Sequence, residues 1–147
     1  MFRKLISTEP SKGNILIRLM VGGIFFTEGL LKLMYPALLG AGRFAHIGIP
    51  NPAFFGPFVG YVETVFGFLV AVGFATRIAA IPLLIDIMTA LYATKLPILL
   101  QQGVLAVIHE ARTDLSMFLG LIFLLISGGG LWSLDDRMTK RWKQEAK

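Results

Sequence analysis

Residues 14–35 read NILIRLMVGGIFFTEGLLKLMY, an apolar run that carries Arg18, Glu28 and Lys32 and stops at Pro36. At ~1.5 Å per residue, such a run is long enough as a helix to cross a hydrocarbon core of ~30 Å. A charge in hydrocarbon costs ~2.5 to 3.5 kcal/mol even on the lenient insertion scale, so Glu28 and Lys32 call for partners, a wet cavity or a function. Two more such residues lie further along: Glu63 and Asp86, each inside its own apolar stretch.

Three further spans follow from the breakers around them. After Ile49-Pro50-Asn51-Pro52, whose prolines disfavour helix at the residues before them, a span covers about 53–74 and ends before Thr76-Arg77. The next covers about 78–96, with Pro82 tolerable near its first turn, and is expected to fade at Leu96-Pro97. The last covers about 112–128 and closes at Gly128-Gly129-Gly130, where helix propensity collapses. The predicted fold is an all-α membrane protein: one domain over 1–147, built as a four-transmembrane-helix bundle. Interfacial helices are expected in the outer connections, and a short cationic amphipathic helix in a cytoplasmic tail at 131–147, where Ser133-Leu134-Asp135 reads as a helix start.

Composition agrees with a lipid environment. The chain has 147 residues, 55% of them hydrophobic and 16% charged, with a mean hydropathy of +0.72. That is more apolar than a soluble domain of this size requires. It contains no cysteine, which rules out disulfides, thiolate metal sites and thiol redox chemistry by its own side chains. The net charge of +5 does not point to nucleic acid, because the basic residues gather at span ends rather than along one face. Arg3, Lys4, Lys12, Arg77, Arg137, Lys140, Arg141, Lys143 and Lys147 fall on one side, against Arg43, Lys95 and Arg112 on the other. The positive-inside rule then puts both termini in the cytoplasm. The first span is too long and too charged for a signal peptide and is expected to be retained.

At ~100° per residue, Arg18, Gly22, Phe25, Gly29 and Lys32 share one helix stripe with Glu28 at its flank, and Gly56, Gly60, Glu63 and Gly67 form another. Glu28 and Lys32 stand in the favourable acid-then-base order for an ion pair one turn apart. Gly56 and Gly60 make a GxxxG, a candidate homodimer contact. One reading of the four charges is simple compensation, with Lys32 neutralising Glu28 or Glu63 and Asp86 either protonated or bonded to Thr89, Tyr92 or water. Against it, one lysine cannot neutralise three acids, which predicts at least one protonated carboxyl and makes Glu63, Lys32, Asp86 and Glu28 candidates for proton handling. A second polar group, His109-Glu110-Ala111-Arg112-Thr113-Asp114, could be joined by His46. His46, His109 and Arg112 are candidate substrate ligands. A metal set of His46, His109, Glu110 and Asp114 is chemically conceivable, but its spacing is unspecific and charge compensation at a helix start explains the residues better.

The order Arg18, Gly29-Leu-Leu-Lys32, Gly48-Ile-Pro50, Glu63 with Gly67, Gly73-Phe-Ala-Thr-Arg77-Ile-Ala-Ala80 and Gly128-Gly-Gly130-Leu-Trp-Ser-Leu-Asp135 resembles the DoxX family of small four-helix membrane proteins. The resemblance implies a four-helix bundle in the bacterial or archaeal cytoplasmic membrane. Family members include a subunit of a thiosulfate:quinone oxidoreductase and a partner in a mycobacterial complex linked to thiol balance and oxidative stress. His109 to Asp114 lies outside that pattern. Two function classes stay open. In one, the chain is a membrane subunit of an oxidoreductase system, with quinone bound by Lys32, Glu63 and Asp86, Glu28 orienting Lys32, and a redox partner subunit supplying electrons. In the other, it is a non-enzymatic carrier or assembly protein holding a lipid-like or small solute between its helices.

Overall fold

The structure, a computed structural model, describes residues 11–145, and every regular element among them is a helix. In chain order these are α1 (Asn14–Met34), α2 (Ala41–His46), α3 (Pro52–Val72), α4 (Thr76–Gln102), α5 (Val104–Glu110), α6 (Arg112–Ser127) and α7 (Leu134–Glu145). Three of them, α1, α3 and α4, are long and apolar enough to cross a membrane. The stretch expected as a fourth span forms α6, whose 16 residues extend ~24 Å at the usual rise.

The glycine stripes bring α1 and α3 together backbone to backbone. A methyl group on Gly29 would lie 2.5 Å from Thr64 N and 2.6 Å from Gly60 O, and one on Gly22 would lie 2.5 Å from Ala71 N. Only residues without a side chain permit that approach. The expected homodimer contact through Gly56 and Gly60 is corrected here, because both are buried within the chain. Gly56 meets Ala41 of α2, and Gly60 meets Leu33 of α1.

α4 also departs from expectation, running past Pro97 to Gln102. Proline removes one N–H but its fixed φ is itself helical, and apolar spans tolerate the loss. The break comes at Gly103, whose φ of 84° and ψ of 179° leave the helical region. The connection that follows is the short helix α5, with no buried residue.

The apolar core occupies the half of the bundle near Asn14 and Ser127. Val21, Phe25, Val70, Leu83, Ile87, Met117, Leu121 and Leu124 fill it. At the same end a polar staple joins the chain's distant segments. Asp135 accepts from Ala75 N at 2.7 Å through Oδ1, and from Thr76 N at 2.9 Å and Thr76 Oγ1 at 2.8 Å through Oδ2. It thereby caps the amino terminus of α4, where free N–H groups and the helix dipole favour a carboxylate. Ser133 starts α7 as read from sequence, its Oγ accepting from Asp136 N at 3.0 Å. Arg18 is buried against Gly73, whose φ of 72° closes α3, and donates to Trp132 O at 3.4 Å.

Candidate functional site

Toward the other end, where Arg43 lies, the core gives way to a cavity of about 300 Å³. Its walls come from all the long helices and from α2. Ile24, Phe25, Phe44, Ile47, Ile87 and Met117 are apolar; Glu28, Lys32, Arg43, Glu63, Asp86 and Asp114 are charged. The packing below explains the placement. Gly29 against Gly60 and Thr64 fixes the register of α1 on α3, and the next polar residue on each helix, Lys32 and Glu63, then face one another.

Lys32 Nζ lies 2.6 Å from Glu63 Oε2 and 3.7 Å from Glu28 Oε2. The first distance is that of a tight ion pair, and Glu63 Oε2 is closed off from solvent. Glu63 is 4% exposed, whereas the Glu28 side chain is 49% exposed. Asp86 approaches Glu63 from α4, carboxyl toward carboxyl, and both interact with Lys32. The three acids and one lysine picked out by helical periodicity thus do converge, with Glu28 at the rim.

The bonding proposed for Asp86 with Thr89 or Tyr92 is replaced by the contact with Glu63. Thr89 turns its hydroxyl to Ile85 O of its own helix at 2.8 Å, and Tyr92 is 72% exposed. His46, His109 and Arg112 are not brought to the cavity. All three are exposed, and Arg112 Nη1 donates to His109 O at 2.6 Å. Among the described residues no three His, Cys, Asp or Glu side chains gather to hold a metal ion. Asp114, read from sequence as a helix-start charge, pairs instead with Lys95 at 3.2 Å across α4 and α6.

Sequence reasoning missed Arg43, Asp114, Thr94 and Thr113 as cavity residues. Lys95, the partner of Asp114, was read from sequence only as an outer charge at a span end, and nothing local to it names Asp114. For Arg43 no signal was present, because its place depends on how α2 folds over the bundle.

A helical protein with several membrane-length spans, which keeps an ion cluster at the floor of a largely apolar cavity, is the class that fold and site define. The DoxX family profile matches residues 13–96, and the chain belongs to the DoxX family. Over 144 residues it is 53% identical to an uncharacterized membrane protein of Mycobacterium tuberculosis (strain ATCC 25618 / H37Rv), the match covering 94% of this chain and 88% of that one. No solved structure matches. Glu28, Lys32, Glu63 and Asp86 all fall inside the family match, whereas Lys95's partner Asp114 and the staple residue Asp135 fall beyond it.

Proposed function

We propose that the chain is an integral subunit of a quinone-linked oxidoreductase system in the bacterial or archaeal cytoplasmic membrane. In this reading it crosses the membrane four times with both termini cytoplasmic, α6 making the fourth passage. Lys32, Glu63 and Asp86 bind the quinone ring and exchange protons with it. The observation that supports this most directly is the Lys32–Glu63 pair at 2.6 Å, with Asp86 opposite, on the floor of a cavity with apolar walls.

The fit is chemical and dimensional. About 300 Å³ lies at the small end of ligand pockets and suits one ring system rather than a large polar metabolite. Phe25, Phe44, Ile47 and Ile87 would pack on the ring faces. The Lys32 ammonium is a donor for a ring carbonyl, and Glu63 and Asp86 can hand over protons at the same place. When bound, a quinone would supply the redox chemistry, with two electrons coming from a partner subunit and Glu63 and Asp86 passing it two protons. With no cysteine in the chain, the donor side belongs to that partner, and a thiol, thiosulfate or oxidative-stress substrate suits the family. Glu28, at 3.7 Å from Lys32, holds the ammonium toward the cavity.

The test is quinone content after mild-detergent purification, together with mass spectrometry of co-purifying proteins. Wild-type protein should carry bound quinone, and Lys32→Met should lose most of it while remaining folded in the membrane. Equal quinone in the folded variant, or none in the wild type saturated with added quinone, would refute the assignment.

A further inference from the structure

The seams between helices are closed to different extents. α1 and α3 touch through backbone at Gly22 and Gly29 and are joined again by Lys32 and Glu63. α4 and α6 are tied at both ends, by Arg77 Nη2 donating to Ile126 O at 2.6 Å and by Lys95 with Asp114 at 3.2 Å. α1 and α6 are tied at one end. There Asn14 Nδ2 donates to Ser127 Oγ and to Gly128 O, each at 3.0 Å, and Gly120 packs on Val21. Toward the Arg43 end, among the described residues, no hydrogen bond or ion pair joins α1 to α6. Instead the cavity reaches the seam, lined by Ile24 and Glu28 on one side and by Thr113 and Asp114 on the other. Ile24, which lines the cavity, is also 37% exposed.

We propose that this open seam is a side entrance from the membrane. The cavity is loaded through the gap between α1 and α6, and it therefore takes ligands with a lipid-soluble tail: head against Lys32, Glu63 and Asp86, tail passing out beside Ile24. The proposal rests on reading the cavity as a ligand site.

Three features converge on it. Glu28 is a half-exposed carboxyl on an apolar span, an expensive placement against hydrocarbon alone. At the edge of a slot it gives a polar headgroup a contact on the way to Lys32, so the head never leaves all polar partners behind. On the other side, α2 and the turn after it set Phe44, Ile47 and Ile49 along the cavity, and the Lys95–Asp114 pair ties α4 to α6. The opposite seam, between α3 and α4, is bridged at mid-height by Glu63 and Asp86.

The experiment compares two bulky substitutions in lipid nanodiscs. Ile24→Trp narrows the α1–α6 seam, and Thr89→Trp places the same bulk on an exposed cavity residue of α4. The probes are a long-tailed ubiquinone and the same ring without its tail. Ile24→Trp should slow binding of the long-tailed form about tenfold more than that of the tailless ring, and have no counterpart in Thr89→Trp. Unaltered long-tail binding in Ile24→Trp, or a slowdown confined to Thr89→Trp, overturns the side entrance. If the wild type binds neither probe, the quinone assignment fails, and the entrance is decided separately by a spin label on Met117→Cys in this cysteine-free chain. Collisions with lipid-dissolved oxygen that exceed those with an aqueous nickel chelate, and that drop in Ile24→Trp, uphold it. The reverse order overturns it.

Discussion

Asp135 and Glu63 are both almost fully buried carboxyls, at 1% and 4% exposure, yet they face opposite situations. Each oxygen of Asp135 is held by backbone or hydroxyl donors, three bonds in all, in a packed corner that ties α7 to the start of α4. Glu63 meets Lys32 through Oε2 and Asp86 carboxyl to carboxyl, and its side chain lines the cavity. Burial alone does not set these two acids apart; their surroundings do, backbone and hydroxyl donors around Asp135 and a cavity beside Glu63.

The isosteric amide swap, applied to both acids, puts that contrast at risk. In Asp135→Asn one oxygen becomes an NH2 group, which must point at Ala75 N–H or at the Thr76 donors. A donor facing donors in a buried corner, with the loss of a charged acceptor, should cost about 3 kcal/mol. Thermal unfolding in detergent checks it, and a shift no larger than that of an ordinary surface variant would mean that the staple is ornamental. Gly29→Ala should come next, at about 2 kcal/mol, because the new methyl meets Thr64 N and Gly60 O, both backbone and unable to swing aside. Since that contact sets where Lys32 reaches, stability and quinone content should fall together. Glu63→Gln belongs on the other side of the comparison. Its stability should stay within about 1 kcal/mol of wild type, because an amide still offers Lys32 an acceptor and gives the Asp86 carboxyl a donor. Quinone-dependent activity of the assembled system should nonetheless vanish. A Glu63→Gln protein as unstable as Asp135→Asn would put Glu63 in the structural class.

Much of the ion cluster was legible because helical periodicity is a local rule. Once residues 14–35 and 53–74 are read as helices, Lys32 and Glu63 must lie on the glycine-lined faces, and those faces must find each other. The cap on α4 was not legible in the same way. Asp135 opens α7, as its neighbour Ser133 foretold, but its carboxylate serves a helix that begins 59 residues earlier. Nothing in local sequence encodes that return. Pro97 misled for a related reason: a proline in an apolar span is a weak stop, and the stronger one, Gly103, follows six positions later in an unremarkable polar patch. The GxxxG at Gly56 was legible as a close contact but not as to its partner, because small residues specify approach and not which helix approaches.

The Lys95–Asp114 pair stands between the two classes and gives the finest test. Its side chains are 18% and 28% exposed, so water reaches both, and one 3.2 Å contact closes the α4–α6 seam beside the cavity. Solvent screening limits such a pair to about 0.5 kcal/mol, and Lys95→Met keeps most of the aliphatic stem, which lines the same shallow groove as Leu91 and Leu99. Unfolding should therefore move little. If the seam at this end matters only for access, the variant should let the tailless quinone ring enter faster from water while leaving long-tailed ubiquinone unaffected. Stopped-flow binding of the two forms separates these outcomes. A large loss of stability would instead place Lys95 beside Asp135, as a strut whose charge the fold requires.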